Sequence, residues 1–299
     1  MERVSLPAPY DFEVSTARFR AYGPDLANLW ADGALWRVVG GRAVRIVAAA
    51  TPGPTPAVEV EPCDPAIAAE VRLLLGLPHD LAGFAAFVAA SGDPVLQQLQ
   101  ARFRGLRPPL APDPYEALVT AITAQQVSLF SAFAVRNRLI AAYGEPGRRD
   151  NVETPAGAAT SGGSALVPHA FPRPERLGAV AVEALRPLGC SRRKAEYIVG
   201  VAQAMSGLSD LALFADDEVK ARLVAVRGLG EWTADWFLAR HLARPRAWPA
   251  GDLVLRKACS RLYADGRDLS TAEVRALGER FEPFQNLTAQ LLLMGMTLP

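Results

Sequence analysis

Gly228-Leu229-Gly230 stands between two stretches of helical periodicity, about 216–225 and from Glu231 to Leu242. Two glycines permit positive φ and leave the backbone bare. The helix that follows offers unpaired N–H groups and the positive end of its dipole, so a phosphate fits there without sequence readout. Read alone, the same residues also suit a plain glycine-stopped turn. Arg227 precedes the glycines, and Arg240, Arg244, Arg246, Arg256 and Lys257 follow them. Such cations meet phosphates and make binding salt-sensitive, or they are solvated surface charge. Trp232 and Trp236 are four residues apart and share one helical face, where indoles stack on flat or cationic rings or fill a core. Asp252 closes the segment Trp248-Pro249-Ala250-Gly251 and precedes a helical stretch of about 253–263, so by itself it reads as an N-cap. His79, His169 and His241 share no metal-ligand spacing, and no metal site is expected.

These residues need a scaffold of helices. The chain has 299 residues, 50% of them hydrophobic and 21% charged, which excludes global disorder. The formal net charge is +1, but it is unevenly distributed. Residues 1–100 hold 7 Lys/Arg against 11 Asp/Glu, and residues 101–299 hold 25 against 20. Only Lys194, Lys220 and Lys257 are lysines. Arginine suits bidentate phosphate contacts, though a GC-rich genome enriches it too. Cys63, Cys190 and Cys259 are scattered, which excludes a disulfide framework and a four-cysteine iron–sulfur loop. No apolar run approaches the ~18 residues of a transmembrane helix, and the start MERVSLPAPYDFEV has no apolar signal core. A soluble cytoplasmic protein, nucleoid-associated and monomeric, is expected.

The first stretch reads as β-rich. Residues 12–20 alternate apolar and polar, residues 34–39 and 42–48 flank the hairpin signal Gly40-Gly41, and Val58 and Val60 suit one more strand. Helices are expected at about 65–76 and 81–90, giving a small α+β domain over 1–91. From 92 to 299 only helices are expected. Asp113-Pro114-Tyr115-Glu116 starts one, with Asp113 capping and Glu116 reaching back. It breaks near Gln125-Gln126-Val127, where Ser128 caps the next helix, which runs to Tyr143. Residues 145–172, rich in Gly, Pro, Ala, Ser and Thr, read as a surface insertion. Ser191 caps a helix beginning Arg192-Arg193-Lys194, whose first-turn cations suit a phosphate or a solvated face. Ser270 with Glu273 forms a capping box, and Pro283 precedes a last helix of about 285–295.

Residues 223–258, LVAVRGLGEWTADWFLARHLARPRAWPAGDLVLRKA, closely resemble the helix-hairpin-helix DNA glycosylase superfamily. Its signature is a hairpin L-x-G-h-G, a helix, and a Gly/Pro-rich loop ending in aspartate. Here these are Val226 to Gly230, the helix from Glu231, and Trp248 to Asp252. Within the superfamily the chain is similar to the AlkA type, DNA-3-methyladenine glycosylase II. The likeness extends to residues 113–128, 192–202 and 281–293. The β-rich start is compatible with that type's small N-terminal domain. The fold implied is mostly α: helical glycosylase domains with the helix-hairpin-helix at about 216–242, preceded by an α+β domain.

The resemblance makes Asp252 the catalytic carboxylate, which stabilises an oxocarbenium-like sugar or orients water. Related bifunctional enzymes carry a lysine two residues after the last hairpin glycine. Trp232 stands there, so no amine forms a Schiff base and strand cleavage is not expected. Trp232, Trp236, Phe284 and Tyr115 are the candidates for a base pocket, with Phe284 where the family has tryptophan. Gln126, beside Gln125, falls where an apolar residue fills the gap left by the flipped base. Arg227, Gly228, Leu229, Gly230 and Arg256 are the phosphate-binding candidates. No cofactor is implied beyond a monovalent cation bridging hairpin backbone and DNA phosphate. The expected function is hydrolytic excision of alkylated purines such as 3-methyladenine and 7-methylguanine from duplex DNA. Excision of deaminated or ethenoadduct bases, or noncatalytic lesion binding, are the rivals.

Overall fold

The structure is a computed structural model and describes residues 1–50, 55–148 and 166–297. Five strands, β1 (Glu2–Ser5), β2 (Leu29–Ala31), β3 (Ala34–Val39), β4 (Arg42–Ala48) and β5 (Ala57–Glu61), form an antiparallel sheet in the order β1-β5-β4-β3-β2. Gly40 (φ 55°) and Gly41 (φ 77°) make the β3–β4 turn, and positive φ at both central residues is what a tight twisted hairpin requires.

Residues 12–20 are not a strand. They form two short helices, α1 (Phe12–Thr16) and α2 (Arg18–Ala21). Asp11 decides this by accepting the Val14 N–H at 2.9 Å, which starts a helix. The buried residues Phe12, Ser15, Thr16 and Phe19 also fit the helical spacing better than the alternation.

Helix α3 (Pro65–Leu74) lays Ile67, Val71 and Leu74 on the sheet residues Val44, Ile46, Val58 and Val60. Helix α4 (Leu81–Ser91) leaves that core, although a boundary at 91 would include it. Its Leu81, Phe84 and Val88 pack with Leu96 and Leu99 of α5 (Pro94–Arg102) and with Trp248, Leu255 and Leu291. The sheet's own core therefore ends with α3 and the adjoining Leu75.

The remaining helices are α6 (Pro114–Ala124), α7 (Leu129–Tyr143), α8 (Pro174–Gly178), α9 (Val182–Leu185), α10 (Arg192–Ala204), α11 (Asp216–Val224), α12 (Glu231–Arg240), α13 (Leu253–Tyr263), α14 (Thr271–Gly278) and α15 (Gln285–Thr297). Two apolar cores organise them. One gathers α6, α10, α11 and α12 around Leu118, Ile122, Ile198, Leu223 and Phe237. The other joins α4 and α5 to α13, α14 and α15. No helix of the described residues is long and apolar enough to cross a membrane.

Glu116 does not reach back to complete a capping box. Asp113 caps α6 alone, accepting the Glu116 N–H at 2.6 Å. The Glu116 carboxylate instead accepts from Arg37 of β3 at 2.9 Å and Arg136 of α7 at 2.6 Å, and Arg136 also reaches Asp25 at 3.2 Å. This buried network clamps the sheet to the helices.

Both ends of the expected 145–172 insertion are held by backbone hydrogen bonds. Ala170 N–H donates to the Glu145 carbonyl at 2.8 Å and Arg148 N–H to that of Gly41 at 2.9 Å, so the neck docks on the β3–β4 turn. Residues 149–165 lie outside the described residues.

Candidate active site

The hairpin between α11 and α12 is built around Gly228. Its φ is +99°, and a Cβ there would run into the ring of Tyr197 on α10. Leu229 is buried beneath the turn, and Lys220 ties α11 to Asp235 of α12 at 2.6 Å. Gly230 is the N-cap of α12 and offers no side-chain acceptor, so no side chain takes up the helix's first N–H groups. Gly228→Ala would bring both backbone strain and a ring clash. We expect it to lower stability by about 1–3 kcal/mol, measured as a fall in melting temperature by thermal unfolding.

The turn after α6 contacts this hairpin from the side. Gln125 donates its carboxamide N–H to the Gly228 carbonyl at 3.0 Å, with the Thr233 hydroxyl at 3.5 Å. Lys194 donates to the Thr123 carbonyl at 2.9 Å. The two glutamines therefore part company. Gln125 is a tie between turn and hairpin, while Gln126 is exposed with φ +57°. Val127, Leu129 and Phe130 beside it are exposed too, with Phe130 at 63%.

Asp252 sits at the start of α13, in the second core, and faces α12 of the first. One carboxylate oxygen accepts the N–H groups of Val254 (2.9 Å) and Leu255 (3.0 Å), the N-cap expected from sequence. The other accepts both indole N–H groups, Trp232 at 2.9 Å and Trp236 at 3.1 Å. The capping role and the convergence with the tryptophan face are thus one arrangement. Arg240, one turn further along α12, stacks on Trp236 with Cζ 3.9 Å from the ring centroid. Burial first, then Arg18 of α2, pulls its pKa down, and Asp252 and Tyr22 oppose this.

Other candidates lie elsewhere. Tyr115 is fully buried, with its hydroxyl donating to the Ile198 carbonyl at 3.4 Å, so it belongs to the core and not to a pocket. Burial also raises its pKa. Phe284 joins a ring cluster with Phe84 (5.8 Å) and Phe87 (5.5 Å) of α4. Arg256 donates twice to the Leu269 carbonyl, at 3.0 and 2.7 Å, and so braces the α13–α14 connection. Arg244 donates to the Ala212 and Phe214 carbonyls, Arg246 pairs with Glu282, and Arg227 pairs with Glu196 at 3.0 Å. Much of the cluster that reads as a phosphate surface is engaged within the protein, because long arginines reach carbonyls and carboxylates many residues away. Among the described residues no group of three or more His, Cys, Asp or Glu could hold a metal ion. At the hairpin the Val226 carbonyl accepts from Leu229 and the Gly228 carbonyl from Gln125, each keeping a second lone pair.

Comparison with known proteins places this geometry. Residues 119–283, which include the hairpin, both tryptophans and Asp252, match the family model of the HhH-GPD superfamily base excision DNA repair protein. The chain belongs to the HhH-GPD superfamily. It is 31% identical over 214 residues to a DNA-3-methyladenine glycosylase of Bacillus subtilis, covering 70% of this chain and 65% of that protein. The chain spans less than two thirds of the length of two Bacillus subtilis relatives, 54% and 65%. Among solved structures, the 3-methyladenine DNA glycosylase from Archaeoglobus fulgidus superposes with a TM-score of 0.82 at 29% identity, covering 98% and 97% of the two chains. The Schizosaccharomyces pombe 3-methyladenine DNA glycosylase in complex with abasic DNA gives 0.56 at 26% identity, covering 70% of this chain and 94% of that one. The mostly helical fold behind a small α+β domain, expected from the resemblance, is the one observed.

Proposed function

We propose that this HhH-GPD protein is a monofunctional DNA glycosylase that extrudes alkylated purines from duplex DNA and hydrolyses their N-glycosidic bond. The observation that carries the reading is the Asp252 carboxylate held by four N–H donors beside the phosphate-type hairpin. A carboxylate offers about four acceptor sites, and here all are used. Asp252 therefore acts as a fixed negative charge against the oxocarbenium-like sugar and not as a base for water. Gly228 to Gly230 and the free end of α12 seat a backbone phosphate, and exposed Gln126 enters the gap in the duplex. Half-buried Trp232 flanks the departing base, with Trp236, 7% exposed in the first core, behind it. Names of relatives that act on 3-methyladenine support the substrate class.

The test is incubation with methylated duplex DNA. Free 3-methyladenine and 7-methylguanine are expected by chromatography, with strands intact until alkali treatment. Borohydride should trap no protein–DNA adduct, because Trp232 replaces an amine. Tight lesion binding without base release at any pH would replace this reading with a noncatalytic one.

A further inference from the structure

Trp236 donates to Asp252, and one face of its ring already carries a cation. The Arg240 guanidinium stacks on it at 3.9 Å. The guanidinium donates to the Gln290 carboxamide oxygen at 3.4 Å, and among the described residues its buried Nε has no partner. Among the described residues no carboxylate pairs with it. The charged or titratable groups around it are Arg18 and Tyr22 from the sheet-domain side and Asp252 from the start of α13. A positive charge is therefore built into the wall behind Trp236.

We propose that Arg240 is a specificity-determining positioning residue that favours departure of neutral purines relative to cationic ones. This rests on the glycosylase reading above. When the C1′–N bond breaks, its electron pair leaves with the base and water supplies hydroxyl to C1′; water's proton goes to the anion left by a neutral purine, or to solvent when the purine was cationic. A cationic N-alkylated purine departs neutral and needs no help. A neutral purine departs carrying negative charge, which a nearby guanidinium stabilises through the intervening indole. The same charge opposes a cationic base held beside the indole pair. Two unit charges ~7 Å apart in a partly buried pocket repel by more than a tenfold factor in binding at an effective dielectric constant of about 20. Burial and Arg18 lower the Arg240 pKa, but a guanidinium starts from about 12.5 or above and stays protonated near neutral pH.

The experiment compares single-turnover release of 7-methylguanine, a cation, and hypoxanthine, a neutral purine, from matched duplex oligonucleotides. Arg240→Met preserves stacking volume and removes charge. It is expected to lower the hypoxanthine to 7-methylguanine rate ratio about tenfold or more, and Arg240→Lys is expected to retain most of the ratio. Equal losses on both bases, or an unchanged ratio, would overturn the proposal and leave Arg240 a structural support for Trp236. A second measurement needs only the wild-type protein. Hypoxanthine release should be nearly level from pH 6 to 8. A tenfold fall per pH unit would mean that the base must be protonated before it leaves, and would also overturn the proposal. Release of 7-methylguanine without hypoxanthine would refute the Arg240 role alone. Release of neither base would refute the enzyme reading itself.

Discussion

Asp252→Asn is expected to reduce base release by about a hundredfold to a thousandfold, the scale seen when a pre-organised charge or dipole is removed from a reacting centre. The substitution is nearly isosteric, and asparagine caps helices about as well as aspartate. Its carbonyl can keep the Val254 and Leu255 N–H groups. Its amide nitrogen, however, would face two indole donors that now share one carboxylate oxygen. Orphaning those N–H groups costs about 1–3 kcal/mol, so a modest stability loss should accompany the loss of activity. Two readouts separate the effects. The variant should unfold cooperatively a few degrees lower and still bind abasic DNA, while releasing almost no base in a single-turnover assay. Release at near wild-type rate would sink the assignment of Asp252.

Glu116→Gln is expected to cost about 3 kcal/mol of stability at neutral pH. Burial alone would raise the Glu116 pKa, but Arg37 and then Arg136 outweigh it and hold the carboxyl at about 2. The unfolded value is about 4.3, and the difference of some two units corresponds to about 3 kcal/mol. The folded pKa is the lower one, so the stabilisation is complete above about pH 5 and disappears as pH falls toward 2. Wild type and Glu116→Gln should therefore differ most in urea midpoint near pH 7, by about half as much at pH 3, and converge at about pH 2. Removal of the side chain by Glu116→Ala leaves two buried guanidinium groups short of a partner and should cost about 3–5 kcal/mol. A midpoint difference that stays constant between pH 7 and pH 3 would rule the ionic contribution out.

The local elements of the site were legible because they depend on residues within a turn of each other. Asp252 caps α13 as its position before an apolar-periodic stretch requires, and Gly228 takes a φ that only glycine adopts freely. Residues 12–20 misled because a short segment can satisfy the two-residue and the 3.6-residue period together, and Asp11 settles the choice. Glu116 misled differently. Its position suited a capping box, but two arginines far away in sequence offered a charged partner that a backbone N–H could not match. Gln125 and Gln126 are chemically identical, and only the backbone turn between α6 and α7 directs one to Gly228 and the other to solvent.

By itself, the sequence determined the glycine hairpin, the capped helices, the tryptophan pair on one helical face and the absence of a lysine at position 232. Each follows from covalent geometry and neighbours about four residues apart. Only the tertiary structure decided that both indoles converge on one Asp252 oxygen and that Tyr115 is core. Those outcomes depend on how the apolar faces of α12, α13 and α6 pack. That packing sets distances between side chains 16 or more residues apart, which no local spacing encodes.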